Sequence, residues 1–216
     1  DAVFPADQDR VAAFLDHLYE ACRRQNLLKN VSARHVAKVF ISYSHQDKHI
    51  IPALKTAFEN TGIELVFDEK DMAGGQKIED FINTIRDVDV VMPLISKESL
   101  SSPWVIREIK TTLEKTDKHL YPCGLDQTFL DKDFITRASH MVDEKIADVD
   151  DRIKKRGKAN TSDLFQERSR WSDYFEDLPR VINELNKRKV VSLAAPDMLS
   201  VFPGIIEDIR KLMNKE

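Results

Sequence analysis

The chain has 216 residues, enough for one generous domain or a domain with additions. Hydrophobic residues make up 42% and can fill a core, while charged residues reach 32%. The two signs nearly cancel, at a net −4, so no global positive field draws nucleic acid or an anionic membrane.

Cys22 and Cys123 are the only cysteines, which excludes a disulfide framework and a Cys-rich zinc site and fits a reducing, cytoplasmic setting. The six His residues do not cluster at ligand spacing, so no metal site is expected. No apolar run approaches transmembrane length or reads as a secretory signal. The start at Asp1, without Met, raises the expectation of a piece trimmed from something longer.

In chain order, Val11, Phe14, Leu15, Leu18, Tyr19 and Cys22 recur at helical spacing and predict an N-terminal helix within 7–28, followed by a connector to residue 36. "AKVFISYS" (37–44) reads as a first strand, and 45–62 as a helix ending at Gly62. "IELVFD" (63–68) is a second strand, and "EKDMAGGQ" (69–76) a polar loop with a Gly pair. A helix over 77–88 leads to a third strand, "DVVMPLIS" (89–96). The next helix opens at "SSPW", where Ser102 caps and Pro103 suits the first turn, and runs to about residue 116.

A fourth strand is read at 119–125, a fifth at 189–194 and a closing helix over Met198–Met213. Strands alternating with helices imply a parallel sheet covered on both faces, a doubly wound α/β fold. Residues 126–188 are too long for one crossover and carry Val142, Ile146, Val149 and Ile153 at helical spacing, then Leu164, Phe165, Trp171, Phe175 and Leu178. They read as a helical insertion before the last strand.

Sheets of this kind bind ligands at the carboxyl ends of their strands. Those ends present Ser42, Tyr43 and Ser44, then Asp68, then Ser96. On the helix after the third strand, Val105, Ile106, Ile109 and Leu113 mark the core face, while Trp104 and Glu108 lie roughly 100–140° from its centre and stack one turn apart. A receiver phosphoacceptor fails, because the third strand ends in Ile95 and Ser96 rather than Asp, and "SYSHQD" lacks the glycines of a dinucleotide fingerprint.

"VFISYSHQD", "FDEKDMAGG", "VVMPLIS" and "SPWVIRE", in this order, resemble a TIR (Toll/interleukin-1 receptor) domain over roughly 37–125, with 189–214 similar to its last strand and helix. The resemblance implies a flavodoxin-like five-stranded sheet of order 2-1-3-4-5, in a domain spanning 37–216, with the BB loop at 69–76. Trp104 and Glu108 match the Trp and the Glu four residues later that are found in the bacterial-type, NAD-cleaving branch.

Cleavage of the nicotinamide–ribose bond passes through a ribosyl oxocarbenium ion, which one carboxylate beside the ribose stabilises. The resemblance thus implies Glu108 as catalytic carboxylate and Trp104 as a pocket wall. Phe40, Ser42, Tyr43, Ser44, Asp68, Lys70 and Gly75 are the expected substrate contacts, with Gly74 and Gly75 letting the loop move over the ligand. The expected activity is NAD+ glycohydrolase or ADP-ribosyl cyclase in immune defence, antiphage defence included, or in cell-death signalling. NAD+ is then a substrate and no cofactor is needed. The expected partners are further copies of the chain, meeting through TIR surfaces that include the BB loop, and an upstream sensor or flanking domain.

Two rival readings stay open: a non-catalytic TIR scaffold, and a receptor that binds a nucleotide without cleaving it. Plainer roles stay open for single residues. Asp68 is also read as a loop cap, Gly74–Gly75 as turn punctuation, Tyr43 as structural and Trp104 as ordinary packing.

Overall fold

The computed structural model describes residues 36–67, 83–115, 117–157, 161–194 and 198–213. From Ala37 on, these belong to one compact unit, Ala37–Glu216. The helix expected within 7–28, the loop at 69–76 and the first half of the helix at 77–88 lie outside the described residues, as do Asp68, Lys70, Gly74 and Gly75.

Strand β1 (Ala37–Ser42) is paired in parallel on both sides, with β2 (Ile63–Phe67) and with β3 (Val90–Ile95). Beyond β3 lie two short pieces, β4 (His119–Leu120) and β5 (Cys123–Gly124), and then β6 (Val191–Ser192). β4 and β5 hold the same register against β3: His119 pairs with Val90 and Gly124 with Ile95. At that offset Pro122 falls opposite Pro93, and neither residue has an N–H to donate, so the ladder lapses there. Taken as one interrupted strand, the pair gives the expected order 2-1-3-4-5 within a six-stranded sheet.

Alternation along the strands sorts the core into two faces. Val39 and Ile41 of β1, with Val90, Met92 and Leu94 of β3, pack under α1 (Ile51–Phe58) and α6 (Met198–Met213). Phe40 and Val91 point the other way, against Ile85 and Val88. On this second side Ile95 meets α3 (Pro103–Lys115).

The helix expected over 45–62 divides in two. Residues His45–Ile50 form a 3₁₀ helix and only Ile51–Phe58 is α-helical. Pro52 explains the change, because it cannot donate to an i−4 carbonyl and the turn before it tightens. Beyond α1, Asn60 (φ 59°) and Gly62 (φ 76°) take left-handed backbone and turn the chain into β2.

The insertion is a helical hairpin. A 3₁₀ turn (Thr128–Leu130) leads to α4 (Phe134–Arg156) and α5 (Ser162–Asn186), and α5 runs on through Pro179. Ion pairs lace the two helices in antiparallel register: Arg152 with Glu167 at 2.8 Å, Arg168 with Asp150 at 2.8 Å and Arg156 with Asp163 at 2.8 Å. Exposed pairs like these are worth at most about 1 kcal/mol each. Burial does more: Phe134, Ala138 and Val142 of α4 join Tyr174, Leu178, Val181, Ile182 and Leu185 of α5 over Val105, Ile106 and Ile109 of α3. Each large apolar side chain so buried contributes roughly 1.5–3 kcal/mol. Phe165 and Phe175, read above as part of the apolar face, are exposed instead.

Leu100 ends a one-turn helix, α2 (Lys97–Leu100), that lies between β3 and α3. Its carbonyl accepts the buried hydroxyl of Tyr174 at 2.9 Å, which pins α5 to the start of α3. Tyr174→Phe leaves that carbonyl without its donor, so unfolding in urea should show a loss of about 1–2 kcal/mol with the m value unchanged.

Candidate functional site

Two serines end adjacent strands, and each gives its hydroxyl to a carboxylate. Ser42 closes β1 on the α3 side of the sheet, the side that its neighbour Phe40 also faces. Its Oγ donates to Glu108 Oε2 at 2.5 Å. Both groups are withdrawn from water, Ser42 at 2% and Glu108 at 5% exposure. The hydroxyl fixes the carboxylate in one orientation at the strand end.

The expectation that Glu108 lies off the core face of α3 is therefore half right. Burial continues around the helix beyond Val105 and Ile109: Glu108, Thr111 and Thr112 are all buried. Thr112 Oγ1 adds a bond back to the Glu108 carbonyl at 2.9 Å.

Trp104 is half-buried and occupies a different environment. The Arg170 guanidinium of α5 sits over its ring, 5.4 Å from the centroid. The crevice that Trp104 lines with Arg107, Arg170, Asp173 and Tyr174 has a volume of about 10 Å³, too small for a ligand. The residues expected beside β1 fall as follows. Phe40 is fully buried among Ile85, Val88 and Val91. Tyr43 meets Phe67 and His45 edge to face, with centroids 6.5 and 6.2 Å away. Ser44 caps the 3₁₀ helix, its Oγ accepting from Gln46 N at 3.4 Å. The structure thus brings Ser42 and Glu108 together and sets Tyr43 and Ser44 at the same strand end.

Asp47 belongs to this rim and was not singled out from the sequence. It lies in the 3₁₀ helix, is 5% exposed, and accepts the Ser96 hydroxyl at 2.6 Å. Ser96 Oγ also accepts from Ser99 N at 2.9 Å and caps α2. The neighbouring Lys97 N–H reaches Asp126 Oδ2 at 2.8 Å, beyond the end of β5. The pattern Ser44-x-x-Asp47 signals a helix start, but nothing in that spacing points to Ser96.

Burial pushes the Asp47 carboxyl above its ordinary value of 3.8. The Ser96 bond and His49 pull it down and Glu98 and Asp126 push it up, and the upward effects prevail. An acid whose folded value is raised contributes most to stability while protonated, below 3.8, and that contribution fades as pH rises through the folded value. Asp47→Asn carries no such penalty. Thermal unfolding from about pH 3 to about pH 7 should therefore show the variant's melting temperature gaining on the wild type's above 3.8 and levelling off once pH passes the folded value.

The family described as "TIR domain" matches residues 39–156, more than half of the 216-residue chain. No curated protein sequence matches. Among solved structures, the chain is similar to the TIR domains of the activated Roq1 resistosome, which directly recognises the pathogen effector XopQ. The two are 19% identical with a TM-score of 0.54, over 80% of this chain and 99% of that one. At that identity the likeness speaks for the fold, and it agrees with the parallel sheet and flanking helices described above. On the family match, this chain belongs to the TIR-domain family.

Proposed function

We propose that this TIR domain is an NAD+ nucleosidase with Glu108 as its catalytic carboxylate. The observation that carries the reading is the Ser42–Glu108 bond: an acid withdrawn from water and aimed by a hydroxyl at the carboxyl end of the sheet. NAD+ carries a pyridinium leaving group, so no general acid is required. The C1′–N bond breaks, its electron pair goes to the ring nitrogen, and nicotinamide departs neutral. The ribosyl cation left behind needs a fixed negative charge in a dry setting, where an oriented carboxylate acts most strongly. Water then captures the cation to give ADP-ribose and a proton. A nucleophilic group of the adenine–ribose half captures it to give a cyclic isomer. Tyr43 and Ser44, at the same strand end, are the nearest candidates for ribose or phosphate contacts, and Asp68 at the expected end of the second strand, with Lys70 and Gly75 of the loop after it, completes the proposed set.

One observation favours a second reading, a non-catalytic assembly module. Trp104, proposed as the pocket wall, has its ring under Arg170 in the α3–α5 crevice, where it serves packing of the insertion. A scaffold is indifferent to Glu108 and sensitive to the loop at 69–76, for example to Gly75→Pro.

Incubating NAD+ with concentrated protein and separating the products by chromatography distinguishes the two. The wild type should release nicotinamide, with ADP-ribose or its cyclic isomer as the companion peak. Glu108→Gln should lower the rate by about 100-fold or more. Equal release from both proteins would overturn the role given to Glu108, and none from a wild type shown to self-associate would favour the scaffold.

A further inference from the structure

The bonds at the rim are reciprocal. Ser42, at the end of β1, holds an acid from α3, the second helix after β3. Ser96, which follows β3, holds an acid from the 3₁₀ helix that follows β1. Between Ser42 and Asp47 run only Tyr43, Ser44, His45 and Gln46. This short loop is therefore tied at both ends, to α3 through Glu108 and to the end of β3 through Ser96. The Asp47 N–H donates to the Ser44 carbonyl at 2.8 Å and closes the loop on itself.

We propose that Asp47 and Ser96 form a positioning pair that holds the loop after β1 in the shape in which Ser42 presents Glu108. As a statement about catalysis this rests on the nucleosidase reading; as a statement about the loop it stands on the geometry alone. Asp47 acts here as a hydrogen-bond acceptor and touches no reacting atom. Its partner is used on both sides, since the Ser96 oxygen donates to Asp47 and accepts from Ser99 N. Without Asp47 the Ser96 hydroxyl loses a buried acceptor and the loop loses its far anchor. The Ser42 end then moves relative to Glu108, and a displacement of a fraction of an ångström is enough to slow an oriented reaction.

The test pairs Asp47→Ala with Asp47→Asn, whose side-chain oxygen still accepts from Ser96. Amide hydrogen exchange over 43–50 is measured beside NAD+ turnover. Asp47→Ala should speed exchange of those amides about tenfold and lower kcat about tenfold, with KM changing less. Asp47→Asn should restore both. If Asp47→Ala does not fold, Ser96→Ala loosens the same amides. Exchange unchanged in the Ala variants overturns the proposal, and so does an Asn variant as defective as Ala, which would make the charge rather than the bond the active feature. A wild type with no turnover overturns the nucleosidase reading and the catalytic half of this proposal, and the exchange comparison still decides whether the pair holds the loop.

Discussion

A carboxylate taken out of water costs roughly several kcal/mol unless hydrogen-bond donors meet it. The carboxyl rim of this sheet is arranged around meeting two of them. Glu108 is met by Ser42 and Asp47 by Ser96, and each bond joins a strand end to a helix that comes after the neighbouring strand. Among the described residues no buried side-chain nitrogen or oxygen lacks a partner. The rim is thus a satisfied polar network, and such networks fix geometry more than they add stability. That suits a site whose chemistry depends on where one negative charge stands.

The helical hairpin anchors the helix that carries Glu108. Here α5 lies over α3, with Tyr174, Leu178 and Val181 packed into the same cluster as Val105 and Ile109. Lys110 bonds Asp177 of α5 at 2.6 Å. Trp104 is drawn into the same interface through Arg170. The insertion therefore fixes α3 on one side while Ser42 fixes it on the other. None of the helices among the described residues is long and apolar enough to cross a membrane.

What was legible from the sequence had short-range causes. Compact, continuously apolar runs gave β1 and β3 their places, and Ser102-Pro103 set the start of α3 where the structure has it. The insertion was visible because 126–188 exceeds any crossover and carries apolar residues at helical spacing. Less legible were features set by distant partners. Ser42 and Glu108 lie 66 residues apart and Asp47 and Ser96 lie 49 apart, so no local pattern joins them. The burial of Glu108 beside Ser42 is a product of the tertiary fold, and helical periodicity within α3 alone placed it off the core. Phe165 and Phe175 fitted an apolar face by spacing, yet tertiary packing chose Leu164, Tyr174 and Leu178 for the inside.

The account stands on Glu108 meeting a ribose. A crystal structure of the chain with a carba analogue of NAD+, in which the ribose ring oxygen is replaced so that the glycosidic bond resists cleavage, tests this most directly. The account predicts the nicotinamide-side ribose at the end of β1, with a hydroxyl within hydrogen-bond distance of the Glu108 carboxylate and Ser42 still bonded to Oε2. A ligand bound elsewhere, or a crystal grown at saturating analogue with no ligand at the rim, would contradict it.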